Sequence, residues 1–174
     1  MRKNSLNRAF AAISIVVGVL LLSPLASSLP TGIGGSSIQT AGCNCHNSNA
    51  DSTVTADIQG FPEQYNASET YRLTISFDGG PSQIGNINLG GFNLWASEGA
   101  FTPTDGLTSL WAGSVNEVVH TEAGNDYKSW VVDWTAPASG KEVDFILHVN
   151  SVNGDGLQTG QLDQWNRADY TLQS

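Results

Sequence analysis

Positive charge is scarce in this 174-residue chain: seven Lys and Arg stand against sixteen Asp and Glu, a formal net charge of −9. Three of the basic residues, Arg2, Lys3 and Arg8, sit in the first ten positions. Without that segment the formal charge falls to −12. A surface this acidic repels phosphate backbones and anionic lipid, which excludes nucleic acid and membrane surfaces as partners. Cysteine is scarcer still, with Cys43 and Cys45 the only two. A bridge between them would close almost no loop, so disulfides do not staple this domain. No Gly-x-Ser-x-Gly elbow, zinc-protease helix or obvious carboxylate pair is present, and the sequence reads as that of a non-enzyme.

Long apolar runs are also absent, with one exception. Ala9 to Leu22 follows the basic N-terminus and precedes Ser23-Pro24-Leu25-Ala26-Ser27-Ser28. That is the three-part build of an export signal, short for a membrane span, with small residues placed for cleavage after Ser28. The expectation is a signal peptide over 1–28 and an extracellular or cell-surface protein without stable membrane insertion after cleavage. Residues 29–42, rich in Gly, Ser, Thr and Pro, read as a flexible lead-in. Residues 43–174 are then one domain, long enough for its own core.

What the domain does have is period-2 alternation broken by Gly, Pro, Asn and Asp. Val54, Ala56 and Ile58 share one face, as do Tyr71, Leu73, Ile75 and Phe77; then Phe92, Leu94 and Ala96; then Trp130, Val132 and Trp134; then Val143, Phe145, Leu147 and Val149. Val118 to Thr121 and Tyr170 with Leu172 add two more segments. No segment after the leader shows a 3.6-residue period. This pattern predicts an all-β, antiparallel, immunoglobulin-like β-sandwich of about seven to eight strands.

The residues that could carry chemistry begin with Cys43-Asn44-Cys45-His46. Haem c attachment normally uses two cysteines two residues apart with histidine next: the thiols take the two vinyl groups and the imidazole takes the iron. Here the spacer is one residue, which moves the sulfurs relative to vinyl groups fixed on a rigid ring. A local disulfide or redox-active thiol pair is the second reading. A soft-metal site for copper or zinc is the third. His120 is the better distal-ligand candidate, beside a plain hydrogen-bonded role in its strand. His148 alternates with Leu147 and Val149 and is therefore expected on a solvated face. Asn153, Asp155 and Asp163 resemble part of a calcium loop, although Asn-Gly and Asp-Gly make hairpin turns unaided. Trp95 and Trp111 fall off or between the core faces, as exposed recognition residues or rings half-covered by loops. Asn66-Ala67-Ser68 is a glycosylation sequon.

With these residues in place the chain resembles the Reeler-like domains of secreted bacterial and archaeal proteins, also called choice-of-anchor V domains. The landmarks are the cysteine-histidine motif, Gly60-Phe61-Pro62 before Tyr71-Arg72-Leu73-Thr74-Ile75, Gly91-Phe92-Asn93-Leu94, His120-Thr121, Trp130 to Pro137, and Asn153-Gly154-Asp155-Gly156 ahead of Asp163-Gln164-Trp165-Asn166. The resemblance implies an immunoglobulin-type sandwich displayed outside the cell. Bacterial relatives carry a full haem-attachment motif where this chain has Cys43 to His46, which implies haem. Animal Reeler domains lack the motif but show a His-Thr-like step near His120, which implies a structural role there. Two functions follow as expectations. One is a haem-carrying electron-transfer module with an unknown redox partner. The other is an adhesion or ligand-binding domain with a local Cys43–Cys45 disulfide or a soft metal and an extracellular ligand.

Overall fold

The computed structural model describes residues 30–156 and 162–174, so the expected signal peptide and its cleavage point lie outside the described residues. The described residues contain nine strands in two antiparallel sheets. The four-stranded sheet has the order β1 (Thr55–Gln59), β2 (Thr70–Asp78), β7 (Ser129–Thr135), β4 (Ala100–Pro103). The five-stranded sheet has the order β5 (Thr108–Leu110), β6 (Glu117–His120), β3 (Gly90–Ala96), β8 (Val143–Ser151), β9 (Gln164–Leu172). This is the all-β sandwich that the alternation predicts. β4 and β5, with four and three residues, are too short to show a period of their own.

Alternation places the core. Leu73 pairs with Val132 and Ile75 with Trp130 in one sheet, while Leu94 pairs with Leu147 and Phe92 with Val149 in the other. All eight are buried, and their branched and aromatic side chains interleave between the sheets. Trp134 meets Phe145 edge-on across the sandwich at 4.9 Å between ring centroids. On the opposite face of β2 and β7, Arg72 and Asp133 pair in solvent at 3.0 Å.

The five-stranded sheet departs from simple alternation. From Leu147 to Ser151, β8 is buried on both faces. His148 is 1% exposed, so the expectation of a solvated His148 is corrected: period 2 does put it off the sandwich core, but a second layer covers that outer face. The layer is the segment expected to be a flexible lead-in. Residues 30–42 lie on the sheet, with the Gly32 N–H donating to the His120 carbonyl at 2.9 Å and Ile38 buried. They include a six-residue helix, α1 (Ser36–Ala41), too short for periodicity to reveal.

Candidate functional site

The cysteine motif is a turn held between α1 and the start of β9. Gly42 ends α1 with φ +66°, a backbone conformation that favours glycine. The chain then folds back so that the His46 N–H donates to the Cys43 carbonyl at 3.0 Å. Trp165 anchors the turn: its indole N–H donates to the Asn47 carbonyl at 2.7 Å, and its own carbonyl accepts the Asp51 N–H at 2.7 Å.

Between this turn, the lead-in and the sheet runs a mostly apolar cleft. Cys43, Cys45 and His46 line it from the turn, Ile33 and Ile38 from the lead-in, and Gly90, Gly91, Phe92 and His120 from the sheet. The sequence nominated Cys43, Cys45, His46 and His120 from two distant segments, and the fold sets all four on one cleft. Its volume is about 110 Å3 and one side is open. Pockets that enclose a drug-sized ligand occupy about 300–1,000 Å3, so this cleft is a smaller, open one.

Both histidines of the cleft are hydrogen-bonded to the protein through Nδ1. His46 Nδ1 lies 2.8 Å from Asp163 Oδ2, and Asp163 Oδ1 accepts the Asn153 N–H at 3.0 Å. His120 Nδ1 lies 3.1 Å from the Phe92 nitrogen and 3.2 Å from the Phe92 oxygen. Two tautomers satisfy this geometry: accepting the Phe92 N–H at Nδ1 puts the ring proton on Nε2, whereas donating Nδ1–H to the carbonyl frees the Nε2 lone pair, the form a ligand role requires. Burial holds the His120 pKa below its ordinary value, so the ring is neutral at neutral pH. Burial, and secondarily the neighbouring Cys45, pushes the Cys43 thiol up to about 12. Both cysteines are free thiols in this structure.

Asn153, Asp155 and Asp163 come together beside His46, but their oxygens are engaged. Asn153 Oδ1 accepts the Asp155 N–H at 3.0 Å, and Asn153 Nδ2 donates to Asp155 Oδ2 at 3.0 Å. Asp163 is occupied by His46 and Asn153 as above. Among the described residues, no three His, Cys, Asp or Glu side chains converge as a metal ion needs. Trp95 and Trp111 are half-buried, and Gly34 packs against the Trp111 ring. The roles of Trp165 and of Asp163 as a partner of His46 were not visible in sequence. His46 and Asp163 are 117 residues apart, and no motif spacing links them.

No family model matches the chain, and no curated protein matches it. Among solved structures, the reelin-N domain of F-spondin is similar over 67% of this chain and 86% of that one, at 21% identity and a TM-score of 0.42. The human F-spondin reeler domain is similar over 68% and 90%, at 20% identity and 0.41. A conjugative transposon lipoprotein from Bacteroides eggerthii is similar over 71% and 100%, at 12% identity and 0.42. The sandwich assignment rests on the two sheets themselves.

Proposed function

We propose that this protein is an exported, non-catalytic β-sandwich module that carries a c-type haem in the cleft for electron transfer. Cys43 and Cys45 would hold it through thioethers, and His46 and His120 would be the imidazoles available to its iron. A single observation carries the reading: the two thiols and two imidazoles, supplied by segments more than seventy residues apart, line one apolar cleft. The donor set suits the group. Both imidazoles have their Nδ1 engaged by protein, which orients the rings, and the cleft walls are mostly apolar. Gly90 and Gly91 leave the floor without side chains; a Cβ at Gly91 would meet the His120 ring at 2.2 Å. When bound, the haem supplies a one-electron iron couple whose potential the axial ligands set. The acidic surface suits a cationic partner for that electron.

The deciding experiment is intact mass together with a visible spectrum, on protein exported through a cytochrome maturation system. The mass of one added haem, with a Soret band that survives acid-acetone extraction, is the expected result. Peptide mapping then tells whether one thioether or two have formed across the one-residue spacer. A mass two hydrogens below the reduced chain, without visible absorbance, overturns the reading in favour of a local disulfide in an extracellular ligand-binding domain.

A further inference from the structure

We propose that Asp163 is a positioning residue that holds His46 in its ligating tautomer and lowers the reduction potential of the centre. The inference rests on the haem reading above and goes beyond it in assigning this carboxylate. Asp163 Oδ2 lies 2.8 Å from His46 Nδ1, and the Asp163 side chain is 3% exposed. Its other oxygen accepts the Asn153 N–H at 3.0 Å, so the carboxylate is fixed at both ends. The Asp163 carbonyl also lies 3.4 Å from Asn47 Nδ2, which ties the strand start to the residue after His46.

The chemistry follows from the donor rule. A carboxylate only accepts, so the proton between the pair belongs to His46 Nδ1 and the lone pair falls on Nε2. A charge-assisted hydrogen bond to this buried carboxylate draws that proton toward the oxygen and raises the electron density on the ring. A more basic ligand stabilises the oxidised metal more than the reduced one, which lowers the potential. Asp163 is 117 residues from His46 and reaches it because β9 begins beside the cysteine turn.

The test is the midpoint potential of the haem-loaded full chain for wild type, Asp163→Asn and Asp163→Glu. Asparagine retains an oxygen for the Asn153 N–H but removes the charge facing His46, so the potential moves upward. Glutamate keeps the charge and displaces it by one methylene, so its potential falls between the other two. Thermal melting of each variant separates this effect from a folding defect. Wild-type potentials in both folded variants overturn the proposal and leave the haem reading intact. If Asp163→Asn yields no loaded protein, Asp163→Glu decides alone: a raised potential supports the role and an unchanged one overturns it. A wild-type chain that takes up no haem removes both readings at once.

Discussion

The Trp165 indole lies on Gly42 so closely that a Cβ at position 42 would sit 2.1 Å from its ring. The same indole donates to the Asn47 carbonyl, so one side chain brackets the cysteine turn from both ends. Because Gly42 also has φ +66°, Gly42→Ala adds a clash to an unfavourable backbone conformation. Overpacking of this kind costs about 1–3 kcal/mol. The expected result is a lower urea midpoint for Gly42→Ala and poor haem loading, both read on the exported protein. An unchanged midpoint would show that the turn is free to move away from Trp165.

The sandwich was legible from sequence because each long strand has one face in the core, as Leu73, Ile75 and Phe77 do in β2. Alternation reports which face a residue occupies and is silent on what covers it. His148 shows the difference: its face was read correctly and its environment was not, since the cover comes from residues 30–42, whose composition suggests a lead-in too poor in apolar side chains to pack. That segment docks through backbone hydrogen bonds, close glycine contacts and the buried side chain of Ile38, for which composition has little signal. The cleft was half legible. The attachment-like motif names Cys43, Cys45 and His46 by spacing alone, whereas Asp163 and Trp165 join it only through the path of β9.

Glu117 is the clamp for that docked segment. It is 4% exposed, and its Oε1 accepts the Gly35 N–H at 2.7 Å and Asn93 Nδ2 at 2.8 Å. Asn93 Nδ2 in turn lies 3.2 Å from the Ile33 carbonyl. Glu117→Ala leaves two donors without their acceptor, each loss costing about 1–3 kcal/mol when the group stays buried. The segment is therefore expected to detach before the sandwich unfolds. Hydrogen exchange checks this: the Gly35 and Gly42 amides should exchange faster in Glu117→Ala, while Leu94 and Leu147 keep wild-type protection. Uniformly faster exchange would instead mean that Glu117 supports the whole sheet.

Tyr65 closes the opposite end of the sandwich. Its hydroxyl donates to the Lys141 carbonyl and accepts the Lys141 N–H, the latter at 2.8 Å, while its ring meets Trp134 edge-on at 5.7 Å. Tyr65→Phe keeps the ring contact and removes both hydrogen bonds, so a loss of about 1–3 kcal/mol is expected. Because this end lies away from the cleft, the visible spectrum of the loaded protein should not change. A spectral change accompanying the lost stability would show that the two ends are coupled.

His148 gives the protein a pH dependence of defined sign. Burial, and then the nearby Arg167, lower its pKa from 6.5 to about 4, against a smaller opposing effect of Asp169. The Trp165 ring, 6.0 Å away, is a further neighbour and carries no charge. The unfolded chain takes up this proton near pH 6.5, while the folded chain resists it until about pH 4. Below pH 6.5 the unfolded state therefore binds more protons, and the contribution of His148 to stability falls as pH falls, levelling below about 4. At about 1.4 kcal/mol per unit, the loss across that window reaches up to about 3 kcal/mol. Carboxylates also titrate there, so the informative quantity is the difference between wild type and His148→Leu in urea unfolding from pH 7 to pH 4. The wild type is expected to lose more stability than the variant over that range. Parallel curves would mean that His148 accepts its proton in the folded chain as readily as in the unfolded one, and that the layer formed by residues 30–42 opens to let it.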